Sequence, residues 1–143
     1  MIGAGDATGE LYEQAREVGR LVAERGGIVV CGGLGGIMEA AARGATEAGG
    51  VAIGVLPDED RQRANEYLSY CVATGMGQAR NLAVVCSGDA VVAVGGGYGT
   101  LSEIGFALKV GRPVVALSGW ELEQHVTVAS MPGEAVAAAF GAL

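Results

Sequence analysis

The sequence predicts one doubly wound α/β domain built on a parallel sheet, and three observations carry this prediction. Short β-branched runs are continuously apolar instead of alternating, as strands buried on both faces require. Between them lie stretches whose apolar residues recur at helical spacing. Three of those stretches end at a glycine, Gly26, Gly49 or Gly111, where a left-handed C-cap is wanted. Strands and helices alternating at such short range imply right-handed crossovers between parallel strands.

The elements follow in order. A very short first strand is expected over Met1 to Ala4, then a helix over Glu10 to Arg25 with Leu11, Ala15, Val18, Leu21 and Val22 on one face. Gly27 to Cys31 and Gly50 to Leu56 read as strands flanking a helix over Ile37 to Ala48. Tyr67 to Val72 is a further candidate strand, and a helix opening near Asn81 leads to the strand Asp89 to Val94. Thr100 to Val110 reads as a helix whose apolar face, including Leu101, Ile104, Phe106, Ala107 and Leu108, is expected to lie in the core. Arg112 to Leu117 is a strand with proline at its start, and Pro132 begins a closing helix that runs to Leu143. With no linker, repeat or charge block, residues 1–143 read as a single domain.

Composition narrows the function. The chain of 143 residues is 50% hydrophobic and 17% charged, which suits a compact core. A net charge of −7 with only 9 basic residues argues against nucleic acid as a partner. No apolar run approaches the roughly 20 residues of a membrane span, and the first residues do not read as a secretory signal, so a cytoplasmic location is expected. Lys109 is the only lysine and His125 the only histidine. A lysine imine, a histidine-rich metal site and a Ser-His-Asp triad therefore have little material, and no metal is expected. Cys31, Cys71 and Cys86 sit among apolar neighbours without CxxC spacing and are expected to be buried free thiols.

Glycine accounts for 26 residues, far above the usual share of about 7%, and concentrates in two turns. Gly32, Gly33, Gly35 and Gly36 precede Met38; Gly95, Gly96, Gly97, Tyr98, Gly99 and Thr100 precede Glu103. Each turn leads from a strand into a helix, where backbone N–H groups and a partial positive charge of roughly +0.5 suit a phosphate. Such glycines also serve simply to make tight turns. Neither loop is a Walker A sequence, because no lysine follows the glycines, and a dinucleotide fingerprint is not convincing. Thr100-Leu101-Ser102-Glu103 has the spacing of a capping box, while Glu103 in the first helical turn is also placed to face the ribose of a nucleotide. Arg80 stands just past a glycine turn, either as a phosphate clamp or as half of a surface ion pair. Tyr98 is a candidate to stack on the ligand.

Gly96-Gly97-Tyr98-Gly99-Thr100-Leu101-Ser102-Glu103 resembles the GGxGTxxE motif of the LOG superfamily, nucleoside monophosphate phosphoribohydrolases once labelled lysine decarboxylases. Gly32 to Met38 with Arg43-Gly44-Ala45 is similar to that superfamily's first glycine loop and helix. Thr74 to Asn81 resembles the branch around the molybdenum cofactor carrier proteins. The resemblance implies a Rossmann-like fold, a pocket for an AMP-like nucleotide, phosphate or molybdopterin with no required cofactor, and a homodimer or higher homo-oligomer. It also implies that Glu103 and Arg80 match the catalytic Glu and Arg, which in the hydrolases support cleavage of an N-glycosidic bond. Gly95 and Asn81 stand where the hydrolases usually carry Pro and Lys, which points away from the hydrolase branch; cleavage of a nucleoside 5′-monophosphate is nevertheless the first expectation, and a non-catalytic molybdopterin carrier the alternative. Lys109 has no motif around it, so lysine decarboxylation has no support.

Overall fold

A computed structural model describes residues 1–122 and 125–143. Seven strands are joined by five helices: β1 (Ile2–Gly3), α1 (Gly9–Glu24), β2 (Ile28–Cys31), α2 (Ile37–Glu47), β3 (Val51–Leu56), β4 (Tyr70–Ala73), α3 (Arg80–Ser87), β5 (Val91–Val94), α4 (Tyr98–Lys109), β6 (Val114–Leu117), β7 (Thr127–Ala129) and α5 (Pro132–Gly141). The pairing is parallel throughout, in two sets ordered β1-β5-β6-β7 and β2-β3-β4. The Met1 nitrogen donates to Val30 O at 2.8 Å, so β1 lies between β2 and β5. The chain is thus wound outward from β1 in both directions, the Rossmann-like α/β arrangement expected. Its topological switch point lies between β1 and β5.

β5 and β6 are buried along their whole length, as their continuous valine runs require. Ala15 and Val18 of α1, Ile37 and Ala40 of α2 and Val136 of α5 pack against one face of β5 and β6. Val84 and Val85 of α3 and Ile104 and Ala107 of α4 pack on the other. Phe106 of α4, placed in the core by its spacing, is 38% exposed. Gly26, Gly49 and Gly111 each follow a helix at φ between +74° and +77°, the left-handed caps expected. Strand β7 had no sequence signal.

Helices α1 and α2 touch through glycines. A Cβ on Gly19 would run into the Ala41 carbonyl, and one on Gly44 into the Arg16 carbonyl. Backbone cannot yield as a side-chain tip can. Gly19→Ala is therefore expected to destabilise the protein by about 1–3 kcal/mol in a denaturant melt, although alanine favours a helix by about 1 kcal/mol.

Two expectations are corrected. The cysteines are free, but only Cys31 is buried; Cys71 is half-buried, and Cys86 lies on the outer side of the amphipathic α3. The capping box does not form. Gly97, with no side chain to restrict it, ends the glycine turn as N-cap, so α4 begins at Tyr98 and Thr100 falls inside the first turn. Glu103 is consequently in the second turn, and capping does not account for it.

Candidate functional site

The switch point opens into a cavity of about 330 Å³, within the size range of small-molecule sites. Its walls are the segment from Met1 to Asp6, Gly32 and Met38 after β2, Arg80 and Asn81 at the start of α3, and Gly97, Gly99, Thr100 and Glu103 on α4. Apart from Met1 and Ile2 at the start of β1, each comes from, or follows, the carboxyl end of a strand.

Arg80 is 7% exposed and reaches across the backbone of Gly32. Its Nε has no hydrogen-bond partner, and no described acidic group lies within 4.0 Å of its guanidinium. Desolvation lowers its pKa, with Glu103 among the charges opposing the shift. A buried, incompletely paired guanidinium on a cavity wall is a costly arrangement that an anion would relieve.

The opposite wall supplies a second source of positive potential. Leu101 N–H donates to Gly97 O at 3.0 Å as the first bond of α4, leaving the earlier amides of its first turn without helical partners. Glu103, also 7% exposed, faces the same space. Burial pushes its pKa up to about 7, while the Met1 amine and Arg80 pull the other way. Near neutral pH its carboxyl group is therefore shared between a form that donates a hydrogen bond and a form that only accepts.

The first glycine loop contributes less than its composition suggests. Only Gly32 and Met38 reach the cavity. Gly33 and Gly36 have positive φ and turn the chain; a Cβ on Gly36 would strike Ala4 O, and one on Gly35 would press on Gly5 O at 3.2 Å. Ile37 N–H donates to Ala4 O at 3.0 Å, so the segment after β1 occupies the N-terminus of α2 where a phosphate was expected. In the second loop Gly95 and Gly96 lie behind the wall, with Gly96 packed under Thr100. Tyr98 points away from the cavity: it is 85% exposed beside Trp120, their ring centroids 6.2 Å apart. Trp120 Nε1 donates to Gly97 O at 3.1 Å and so steadies the turn from outside.

The walls contributed by Met1 to Asp6 and Asn81 were not identified from sequence. Gly3-Ala4-Gly5 directly after Ile2 was the available signal, a third glycine turn following a strand. The loop over residues 57–66 supports the site from behind: Asn65 Nδ2 donates to Leu34 O at 2.9 Å and Asn65 N–H to Gly33 O at 3.0 Å.

Gly32 offers a test of Arg80 placement. A Cβ there would meet the Arg80 guanidinium and, at 2.6 Å, Met38 Sδ, both ends of flexible side chains. Gly32→Ala is expected to fold with little loss in Tm and to weaken phosphate-ligand binding about fivefold in calorimetry, roughly 1 kcal/mol.

Fold and site together define a Rossmann-like α/β protein with a cavity at its switch point that carries Arg80, Glu103 and the first turn of α4. The chain belongs to the SLOG cluster4 family, which its residues 1–139 match, within the LOG and molybdenum cofactor carrier superfamily. A protein of Archaeoglobus fulgidus is 45% identical over 136 residues, covering 95% of this chain and 89% of that one. The molybdenum cofactor binding protein of Rippkaea orientalis superposes with a TM-score of 0.90 at 34% identity, over 96% of this chain and 90% of its own. The molybdenum cofactor carrier protein of Chlamydomonas reinhardtii superposes at 0.85 with 35% identity, over 97% and 91%. No described helix is long and apolar enough to cross a membrane.

Proposed function

We propose that this protein binds and carries a phosphate-bearing pterin of the molybdenum cofactor type, without reaction on the protein. The observation that carries the reading is Arg80, buried and incompletely partnered on the cavity wall opposite the first turn of α4. The phosphate of the ligand completes the hydrogen bonding of Arg80 and accepts from the α4 amides. Solved structures of molybdenum cofactor carriers that share the fold at 34–35% identity support this choice of ligand. Gly95 and Asn81, in place of the Pro and Lys usual in the hydrolases, favour it over catalysis.

Glu103 favours a second reading. A buried carboxyl group that titrates near 7 beside a phosphate site is placed to stabilise a ribosyl cation or orient water, as cleavage of a nucleoside 5′-monophosphate requires. Both readings are tested on one preparation. Calorimetric titration with molybdopterin cofactor released from a molybdoenzyme is expected to give saturable binding. Incubation with a panel of nucleoside 5′-monophosphates is expected to release no free base. Base release abolished in Glu103→Gln, without cofactor binding, would establish the hydrolase instead.

A further inference from the structure

Gly97 and Gly99, which line the ligand cavity at the start of α4, leave its side of the turn bare: a Cβ on either would meet no protein atom within 4 Å. The outer side of the same turn is braced by the chain that follows β6. Gly95 N–H donates to Leu117 O at 3.0 Å. Gly119 then lies backbone to backbone on Gly95, where a Cβ would come within 2.8 Å of Gly95 O. To place it there, Ser118 takes a φ of 55°, in the left-handed region, and among the described residues only glycines otherwise do so. Trp120 completes the brace. Its Nε1 donates to Gly97 O at 3.1 Å, while the side chain is half-buried and packs on the core layer that holds Ile104 and Ala107.

The carbonyl that Trp120 holds is the one on which α4 starts. Gly97 O accepts from Leu101 N–H at 3.0 Å, and the indole uses its second lone pair. The orientation of this carbonyl sets where the N–H groups ahead of Leu101 lie, and these have no helical partners. Arg80, buried with its Nε unpartnered, faces them across the cavity. Two sets of donors on opposite walls serve one anion only while their separation is kept.

We infer that Trp120 is a positioning residue for the phosphate-bearing ligand. Acting from outside the cavity through Gly97, it holds the first turn of α4 where its N–H groups and Arg80 grip the same anion. The inference rests on the proposed reading in requiring a phosphate at this turn.

Trp120 is the only tryptophan, so its fluorescence reports on the turn directly. Bound ligand is expected to change its emission along the saturation curve that calorimetry gives. Two variants separate hydrogen bonding from packing at pH 8, where imidazole carries no charge to attract an anion. With the five-membered rings superposed, histidine Nε2 falls where the indole Nε1 stood. Trp120→His therefore keeps a donor and loses ring area, whereas Trp120→Phe keeps area and loses the donor. The titrants are inorganic phosphate and molybdopterin cofactor. Trp120→Phe is expected to weaken binding about fivefold, the worth of one neutral hydrogen bond, and to speed amide exchange at Gly99 and Thr100. Trp120→His is expected to stay within about twofold of the parent in both measurements. Parent affinity in Trp120→Phe, weaker binding in Trp120→His than in Trp120→Phe, or emission that ignores bound phosphate would overturn the inference. Phosphate bound without the cofactor would overturn the carrier reading alone, since the same comparison is then made with phosphate. Binding of neither by the parent would overturn both.

Discussion

Replacing Arg80 by alanine is expected to weaken binding of the phosphate ligand 10- to 150-fold while leaving the fold as stable as before or more so. The two effects differ because the side chain is buried without a close ion pair. Loss of a charge-assisted hydrogen bond to an anion costs about 1.5–3 kcal/mol in the complex. In the ligand-free protein the same substitution removes a desolvated charge whose Nε has no partner, which offsets the packing lost around Gly32. Calorimetry and a denaturant melt on the same preparation separate the terms. Arg80→Lys is expected to fall between, retaining charge but losing the forked geometry. Unchanged affinity in Arg80→Ala would remove the guanidinium from the site.

Glu103→Gln is expected to change how the protein responds to pH. The carboxyl group titrates at about 7 in the folded chain against an ordinary 4.5, so between these values the folded state holds more protons than the unfolded state. Stability contributed by the protonated form is thus full below pH 4.5 and is lost as pH rises toward 7, a change of about 3 kcal/mol. Glutamine has nearly the same shape and never ionises. The variant is therefore expected to be more stable than the parent at pH 8 and to lack this component of the pH profile. Ligand affinity follows the same sign, since ionised Glu103 repels an anion. A phosphate monoester itself titrates near 6, so the difference between parent and variant isolates the protein's share. Identical stability profiles for both from pH 5 to 8 would contradict this assignment.

The strands were legible because parallel strands covered on both sides leave unbroken β-branched runs, as at Val91–Val94 and Val114–Leu117. β7 has three residues, two of them exposed, and no such run can form in so short a piece. Arg80 and Glu103 were legible from their motifs, and the fold places both on one cavity. The walls formed by Gly3 to Asp6 were not, because a two-residue strand carries too little pattern to announce the turn after it. The start of α4 was misread for a local reason. Thr100 and Glu103 have the spacing of a capping pair, but Gly97 already supplies the turn and the helix begins before Thr100.

The bond from Ile37 N–H to Ala4 O limits where a ligand's phosphoryl groups would find donors. With the start of α2 plugged by the protein's own carbonyls, the donors on the cavity wall are Arg80 and the first turn of α4. A single terminal phosphate finds donors there, whereas a second phosphoryl group directed toward α2 meets the oxygens of Ala4 and Gly5, which can only accept. On the proposed reading, a ligand ending in one phosphate is therefore expected to bind more tightly than a diphosphate or a dinucleotide, which competition calorimetry would check.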